Sequence, residues 1–229
     1  MKEHRCILLV DDKDQSDVAE NIRIQLRNEF DLEFILIRTA APEYKEEDSE
    51  EIDPDRLRDG IRTKIQYKTI DVALTDFDLD SAVVNGLSIV QMVHKLRQKI
   101  NFLIYSGNWN EVIRTVVSGD YREAPIDRLV EGINALIHDQ IVDCIDRTDY
   151  KDDLIKYLRN NANDSTEHRL CSLLRAHGDM VFESCFPEFK GMTFNEIADL
   201  IDNHADARSD EWIDAVLTQT IAYLVKVNQ

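Results

Sequence analysis

The sequence predicts an α/β protein, with a doubly wound, five-stranded parallel sheet in residues 1–148 and an all-helical segment in residues 149–229. In the first part, short continuous apolar runs alternate with apolar residues at helical spacing, which is typical of a parallel sheet buried on both faces. Strand-like runs stop after Tyr150, where leucines continue at helical spacing. Since alternating strands and helices form a sheet that helices cover, we expect two parts of different architecture.

The first predicted elements lead up to the third strand. Cys6–Val10 is a continuous apolar run, Val18–Phe30 has apolar residues at helical spacing, and Phe34–Ile37 is a second buried strand. Residues 40–53 are acidic and aperiodic, which indicates a surface loop. A helix is expected from Pro54 to about Tyr67, because proline suits the first helical turn, where the amide hydrogen would be unpaired anyway.

The remaining elements of the first part continue this alternation. In chain order they are a strand at Ile70–Leu74, a helix at Leu87–Gln98, a strand at Phe102–Tyr105, a helix at Trp109–Val117, a brief fifth strand at Asp120–Pro125 and a closing helix at Ile126–Asp146. In the second part, Thr193 has the residue type of an N-cap for a helix at Phe194–Asp202, and Ser209 for one at Glu211–Val227.

The composition is ordinary for a globular protein. The chain has 229 residues, of which 43% are hydrophobic and 31% charged. No apolar run approaches the roughly 18 residues of a membrane-spanning helix, and the N-terminus lacks the features of a secretory signal. Cys6, Cys144, Cys171 and Cys185 are scattered without metal-binding spacing, which indicates reduced thiols. We therefore expect a cytoplasmic protein that does not bind membranes.

The charge argues against nucleic acid as a partner. The formal net charge is -18, and residues 150–229 carry 14 acidic residues against 8 Lys and Arg. Nucleic acid binding needs cationic side chains that displace counterions from phosphates, and the sequence has no concentrated basic patch. We expect the helical second part to be an output or docking module that binds protein.

Three aspartates follow predicted strands, Asp11 and Asp12 the first strand and Asp76 the third. If these strands are neighbours in a parallel sheet, their carboxyl ends meet at one cleft, where ligand sites of such sheets lie. Clustered carboxylates repel one another unless a cation neutralises them, and an oxygen-only site of this kind suits Mg²⁺. The alternative is that Asp11 and Asp12 only stabilise the N-terminus of the next helix, where acids favour the helix dipole.

Five segments together resemble the receiver domain of response regulators, the CheY-like family. They are the acidic-pair strand at Ile7–Asp12, the strand ending in the phosphoacceptor at Asp71–Asp76, the helix-opening glycine at Asn85–Leu87, the strand ending in a hydroxyl residue at Phe102–Gly107, and the region that normally ends in Lys-Pro at Asp120–Asp127. The resemblance covers about 140 residues and rests on the order and spacing of these segments.

The resemblance implies a flavodoxin-like fold and a phosphoryl-accepting site. Asp76 would accept the phosphoryl group, and the hydroxyl of Ser106 would donate a hydrogen bond to it. Mg²⁺ would be held by the carboxylates of Asp11, Asp12 and Asp76 and by the backbone carbonyl of Asp78. The family further implies a histidine kinase as phosphoryl donor and a downstream protein partner, without an enzyme activity of its own, and it allows a homodimer.

One position departs from the family pattern, because Ala124 stands before Pro125, where the family has a lysine that pairs with the phosphoryl group. Without that cation we expect Asp76 to accept phosphate with only a small conformational response. The alternative is a degenerate receiver that acts as a constitutive protein-binding scaffold. A metal-dependent phosphatase is less favoured, since the first strand ends in Asp11-Asp12-Lys13 rather than in Asp-x-Asp.

Overall fold

The computed structural model describes residues 2–47, 49–96, 100–120, 122–160, 166–183, 189–202, 211–216, 218, 219 and 226, without the side chains of residues 166–169. The chain divides into two compact units. The first unit comprises Met1–Gln66 and Ile70–Ala162, and the second comprises Tyr67–Thr69 and Asn163–Gln229.

Five parallel strands form the sheet of the first unit. They are β1 (Glu3–Asp11), β2 (Phe30–Arg38), β3 (Val72–Asp76), β4 (Phe102–Ser106) and β5 (Ile141–Asp146). Their order across the sheet is β2-β1-β3-β4-β5, which is the flavodoxin-like order of doubly wound folds. The prediction of a doubly wound, five-stranded parallel sheet is confirmed.

Helices connect these strands and follow the last one. They are α1 (Ser16–Leu26), α2 (Pro54–Ile65), α3 (Gly86–Leu96), α4 (Trp109–Val116), α5 (Ile126–His138) and α6 (Tyr150–Asn160). The carboxylate of Asp53 caps α2 by accepting hydrogen bonds from two backbone amides of its first turn. The predicted acidic loop contains a short 3₁₀ turn at Pro42–Tyr44 and an antiparallel bridge between Lys45 and Ile52.

Each face of the sheet has its own apolar core, because successive side chains of a strand point to opposite faces. On one face, Leu8 of β1 belongs to a buried cluster with Leu57 of α2 and with residues of α3. On the other face, Leu9 belongs to a cluster with Ile22 of α1 and Leu154 of α6. Helices therefore cover both sides of the sheet, which leaves the carboxyl ends of the strands for a site.

The predicted fifth strand at Asp120–Pro125 is wrong. The fifth strand is β5, further along the chain, and Pro125 is followed by α5. As an edge strand, β5 has Ile145 as its one fully buried residue, so its sequence lacks the continuous apolar run of a central strand. Pro125 suits the position before α5, because it needs no partner for a backbone amide hydrogen.

The predicted closing helix at Ile126–Asp146 is also wrong, since α5 ends at His138 and β5 follows it. The helix that closes the sheet is α6, whose apolar residues Leu154 and Leu158 belong to the core beneath β4 and β1. The first unit consequently continues beyond the expected boundary at residue 148, as far as Ala162.

The second unit contains α7 (Thr166–Arg175) and α8 (Phe194–Asp202), and residues 211–216 are also helical. The prediction of an N-cap at Thr193 is confirmed: its Oγ1 accepts a hydrogen bond from the amide of Glu196 at 3.2 Å, and Glu196 Oε2 accepts one from the amide of Thr193 at 2.7 Å. This reciprocal pair is a capping box. The apolar core of the unit includes Cys171, Phe189, Ile197, Ala198, Ile201 and Trp212.

Three further expectations concern the last helix, the cysteines and membrane spans. The predicted helix Glu211–Val227, with Ser209 as its N-cap, lies partly outside the described residues. Among the described cysteines, Cys6 and Cys171 are buried and Cys144 is exposed, and none is in a disulfide; Cys185 lies outside. Within the described part of the chain, no helix has the length and apolar character that crossing a membrane requires.

Candidate functional site

Three carboxylates meet at the carboxyl ends of the two central strands. The register of β1 and β3 pairs Val10 with Thr75, so Asp11 and Asp76 stand side by side at the next position. Asp12 follows, and one carboxylate oxygen from each of the three residues lies within 4.8 Å of the others. The predicted convergence of Asp11, Asp12 and Asp76 is therefore confirmed by the sheet.

Asp76 is buried at the base of this cluster. Its Oδ1 accepts a hydrogen bond from the backbone amide of Asp78 at 3.1 Å, and its Oδ2 forms an ion pair with the guanidinium of Arg147. Gly86 lies against the same turn, where a Cβ atom would come within 2.7 Å of the carbonyl oxygen of Asp76. A residue without a side chain is therefore required to open α3 beside the site.

Arg147 is a site residue that the sequence analysis missed. It directly follows β5, whose last residue Asp146 pairs with Ser106 of β4, and its amide donates a hydrogen bond to the carbonyl oxygen of Ser106 at 3.2 Å. The contact with Asp76 raises the pKa of Arg147. The available signal was a basic residue immediately after Ile141–Asp146, a segment in which three of six residues are β-branched, and the misplaced fifth strand concealed it.

Ala124 does not follow a strand, in contrast to the expectation that it stands at the lysine position. It lies in the turn between α4 and α5, directly before Pro125. The residue that follows the fifth strand and contacts Asp76 is Arg147. Because the fifth strand was predicted too early in the chain, the sequence did not point to this cation beside Asp76; the replacement of the family's lysine by Ala124 stays a prediction.

Asp11 is buried and held by three donors. Its Oδ1 accepts from the amide of Lys13 at 2.8 Å, and its Oδ2 accepts from Nε2 of Gln15 at 2.5 Å and from the hydroxyl of Tyr105. These bonds do not cap α1, whose first amide, on Ser16, donates to Asp14 at 2.9 Å. The hydrogen bonds of Asp11 therefore belong to the cluster and not to a cap of α1.

The cluster carries more negative than positive charge. Partial burial, followed by the neighbouring Asp11, raises the pKa of Asp12 from 3.8 to about 6. Burial also raises the pKa of Asp76, against the opposing effect of the hydrogen bond from Arg147. Arg147 supplies one positive charge to three carboxylates, so the oxygen-only donor set fits a divalent cation such as Mg²⁺.

Ser106 and Asp78 lie beside the cluster. Ser106 ends β4, next to Tyr105, the register partner of Asp76. It is buried, and its Oγ accepts a hydrogen bond from the amide of Asn108 at 3.0 Å. Asp78 is exposed, and its amide contacts Asp76 as described. The phosphoryl contact of Ser106 and the metal contact of the Asp78 carbonyl stay predictions.

Comparison with solved structures finds receiver domains of response regulators. One from Methanospirillum hungatei is 18% identical, with a TM-score of 0.38 over 69% of this chain and 92% of that chain. One from Clostridium thermocellum is 17% identical, with a TM-score of 0.40 over 68% and 92%. A response regulator from Burkholderia pseudomallei, solved with a phosphorylated aspartic acid, a calcium ion and citrate, is 14% identical, with a TM-score of 0.37 over 70% and 69%.

No family model matches the sequence, and no curated protein matches it. The fold is established by the strand order and register of the sheet itself.

Proposed function

We propose that this chain is a two-component signalling protein in which Asp76 accepts a phosphoryl group from a phosphohistidine of a histidine kinase. The arrangement of charged residues around Asp76 supports the proposal. The buried Asp76 carboxylate ends a central strand, groups with Asp11 and Asp12 within 4.8 Å, and forms an ion pair with Arg147. A nucleophilic carboxylate, a cation site and a fixed positive charge are the parts that phosphoryl transfer needs.

The transfer moves the phosphoryl group from nitrogen to oxygen. A carboxylate oxygen of Asp76 forms a bond to phosphorus while the bond between phosphorus and the donor histidine breaks. The leaving imidazole keeps the electron pair of that bond and takes up a proton. Asp76 attacks in its ionised form, which the guanidinium of Arg147 favours by lowering the pKa that burial raises.

The other residues of the site stabilise the product. Mg²⁺ held by Asp11, Asp12, Asp76 and the carbonyl of Asp78 would offset the charge on the phosphoryl oxygens. Arg147 presents N–H donors in a planar fork, a geometry suited to phosphoryl oxygens. The hydroxyl of Ser106 donates a hydrogen bond to another phosphoryl oxygen. The chain has no further catalytic activity in this proposal.

The proposed partners are proteins. A histidine kinase supplies the phosphoryl group, and a downstream partner binds the protein in the cytoplasm. The second unit serves as the output module, and it binds protein rather than nucleic acid, because residues 163–229 carry 12 acidic residues against 5 Lys and Arg, a balance that opposes nucleic acid binding.

The test is the formation of an acyl phosphate on Asp76. The full chain is incubated with acetyl phosphate and Mg²⁺, and its intact mass is measured. We expect a mass increase of one phosphoryl group that is absent in Asp76→Asn. The matched control is Asp80→Asn, which changes an exposed acid of the same loop, four residues away, and should retain the adduct. A folded wild-type protein that forms no adduct with acetyl phosphate or with phosphorylated kinases contradicts the proposal.

A constitutive protein-binding scaffold is the second candidate, favoured by the ion pair that already joins Arg147 to Asp76. In that case the pair has a structural role and holds β5 beside the strand ends. Asp76→Asn would then lower stability and partner binding together, while the wild type forms no adduct with acetyl phosphate.

A further inference from the structure

Tyr105 of β4 lies next to Asp11, and the residue is 1% exposed. Its ring stacks on Tyr150, the first residue of α6, with centroids 4.5 Å apart and an angle of 14° between the ring planes. The Tyr105 hydroxyl donates a hydrogen bond to Oδ2 of Asp11. Phenylalanine would fill the same apolar space, so the hydroxyl has a role beyond packing.

Gln15 joins these residues in a closed set of contacts. Its Nε2 donates to Oδ2 of Asp11 at 2.5 Å, and its Oε1 accepts from the hydroxyl of Tyr150 at 3.0 Å. Asp11, Gln15, Tyr105 and Tyr150 are all buried. In an interior of low dielectric constant, a network of buried hydrogen bonds fixes the orientation of its members.

We propose that Tyr105 and Gln15 are positioning residues for Asp11, which hold its carboxylate in the orientation in which the acidic cluster binds a divalent cation. This role rests on the cation site of the proposed function, and it concerns residues that do not themselves touch the cation.

The number of acceptor positions on Asp11 supports this role. An ionised carboxylate offers about four acceptor positions. The amide of Lys13 takes one, and Gln15 and Tyr105 take two more. One position is left for a cation or for its bound water, and the carboxylate cannot turn without breaking a buried bond. Residues that donate hydrogen bonds to a metal ligand orient that ligand in the same manner, and their loss typically weakens metal binding by about 10- to 100-fold.

The experiment is a Mg²⁺ titration of the full chain, followed by calorimetry and by the ultraviolet difference spectrum of tyrosine. Tyr105→Phe keeps the stacked ring and removes the donor, and Gln15→Met removes the second donor. We expect either change to weaken Mg²⁺ binding by roughly tenfold or more. The Mg²⁺-induced tyrosine signal should disappear in Tyr105→Phe, because Tyr105 is the tyrosine bonded to a ligand of the cation.

The matched control is Tyr157→Phe. Tyr157 is a partly buried tyrosine of α6 whose hydroxyl accepts a hydrogen bond from Asn101 at 3.0 Å, without contact to the carboxylates in the described bonds. Its variant should bind Mg²⁺ with unchanged affinity and should retain the difference spectrum. Circular dichroism verifies that each variant is folded at the temperature of the titration.

Each outcome bears on the role of Tyr105 and Gln15. Unchanged or tighter Mg²⁺ binding in folded Tyr105→Phe and Gln15→Met overturns it, and so does equal weakening in Tyr157→Phe. If Asp12→Asn loses binding in the same experiment, the cation site stands and only the positioning role fails. A wild-type protein without saturable Mg²⁺ binding overturns both the role and the cation site.

Discussion

The guanidinium of Arg147 contacts Asp76 although the two residues are 71 positions apart. The resemblance to receiver domains led to the expectation of a site without this cation, because Ala124 was assigned to the lysine position. If Asp76 accepts a phosphoryl group as proposed, Arg147 beside it would form a charge-assisted contact to that group, and such bonds are about twice as strong as neutral ones. The expected small conformational response is therefore replaced by the expectation of a full one.

This expectation can be tested by hydrogen exchange with and without beryllofluoride and Mg²⁺. Arg147→Ala should strongly reduce the beryllofluoride-induced protection around Ser106, since a ligand shifts a conformational equilibrium only by its differential interaction with the two states. Arg147→Lys should keep part of it. Ala124→Lys is the control, because it adds a cation in the turn between α4 and α5 and not at the position that follows β5. Beryllofluoride-induced protection that survives in Arg147→Ala but increases in Ala124→Lys would contradict the assignment of Arg147 as the cation that contacts the phosphoryl group.

Asp12 should make the effect of Mg²⁺ on stability depend on pH. Its pKa is raised by partial burial, and then by Asp11, from 3.8 to about 6. In the metal-free protein the protonated form therefore contributes stability below pH 3.8 that is lost as the pH rises through about 6. Because Mg²⁺ binds the ionised carboxylate, the increase in Tm caused by Mg²⁺ should be small at about pH 5 and full at about pH 7.

Thermal unfolding with and without Mg²⁺ at the two pH values measures this effect. Asp12→Asn cannot titrate, and its metal-free form should lose the stability change near pH 6. An increase in Tm that is the same at both pH values in the wild type would show that Asp12 does not titrate in the binding range.

At the scale of elements, α5 and α6 differ in how far their apolar side chains are buried. The outer face of α5 carries Ile126, Val130, Ile133 and Ile137, each at least 51% exposed, whereas Leu154 of α6 is fully buried. Leu154→Ala should lower the free energy of unfolding by about 2–5 kcal/mol, through lost burial and a cavity. Ile133→Ala is the matched change on α5 and should lower it by about 0.5 kcal/mol or less.

Denaturant unfolding of both variants measures these differences. Comparable losses of stability would mean that the outer face of α5 is covered in the folded protein. A loss for Leu154→Ala alone supports α6 as the helix that closes the sheet, in place of the predicted helix at Ile126–Asp146.

At the scale of the whole molecule, the end of the first unit can be located by truncation. A chain of residues 1–162 contains α6 and should unfold cooperatively, with a Tm that Mg²⁺ increases. A chain of residues 1–148 lacks α6, exposes the apolar face around Leu9 and Leu103, and should lose cooperative unfolding. Thermal melts by circular dichroism distinguish the two chains. Cooperative unfolding of residues 1–148 with the same Tm would place the boundary where the sequence predicted it.

The local sequence was sufficient to predict the central strands and the acidic cluster. β1, β3 and β4 are buried on both faces, so their continuous apolar runs are visible in the chain. The parallel arrangement then brings the residues after β1 and β3 to one edge of the sheet. Asp11, Asp12 and Asp76 could be predicted from this pattern, because strand identity and strand ends are local properties.

The tertiary structure decided which groups surround those carboxylates. β5 is an edge strand with a single buried residue, so its apolar pattern is weak and its position beside β4 depends on non-local pairing. Arg147 reaches Asp76 only because β5 lies there, and Gln15 and Tyr150 meet only when α6 packs on the sheet. Contacts between residues far apart in sequence have no local periodic signal. The sequence alone therefore determined the carboxylates of this site, and the packing of β5 and α6 determined which side chains surround them, Arg147 beside Asp76 and Tyr150 beside Gln15.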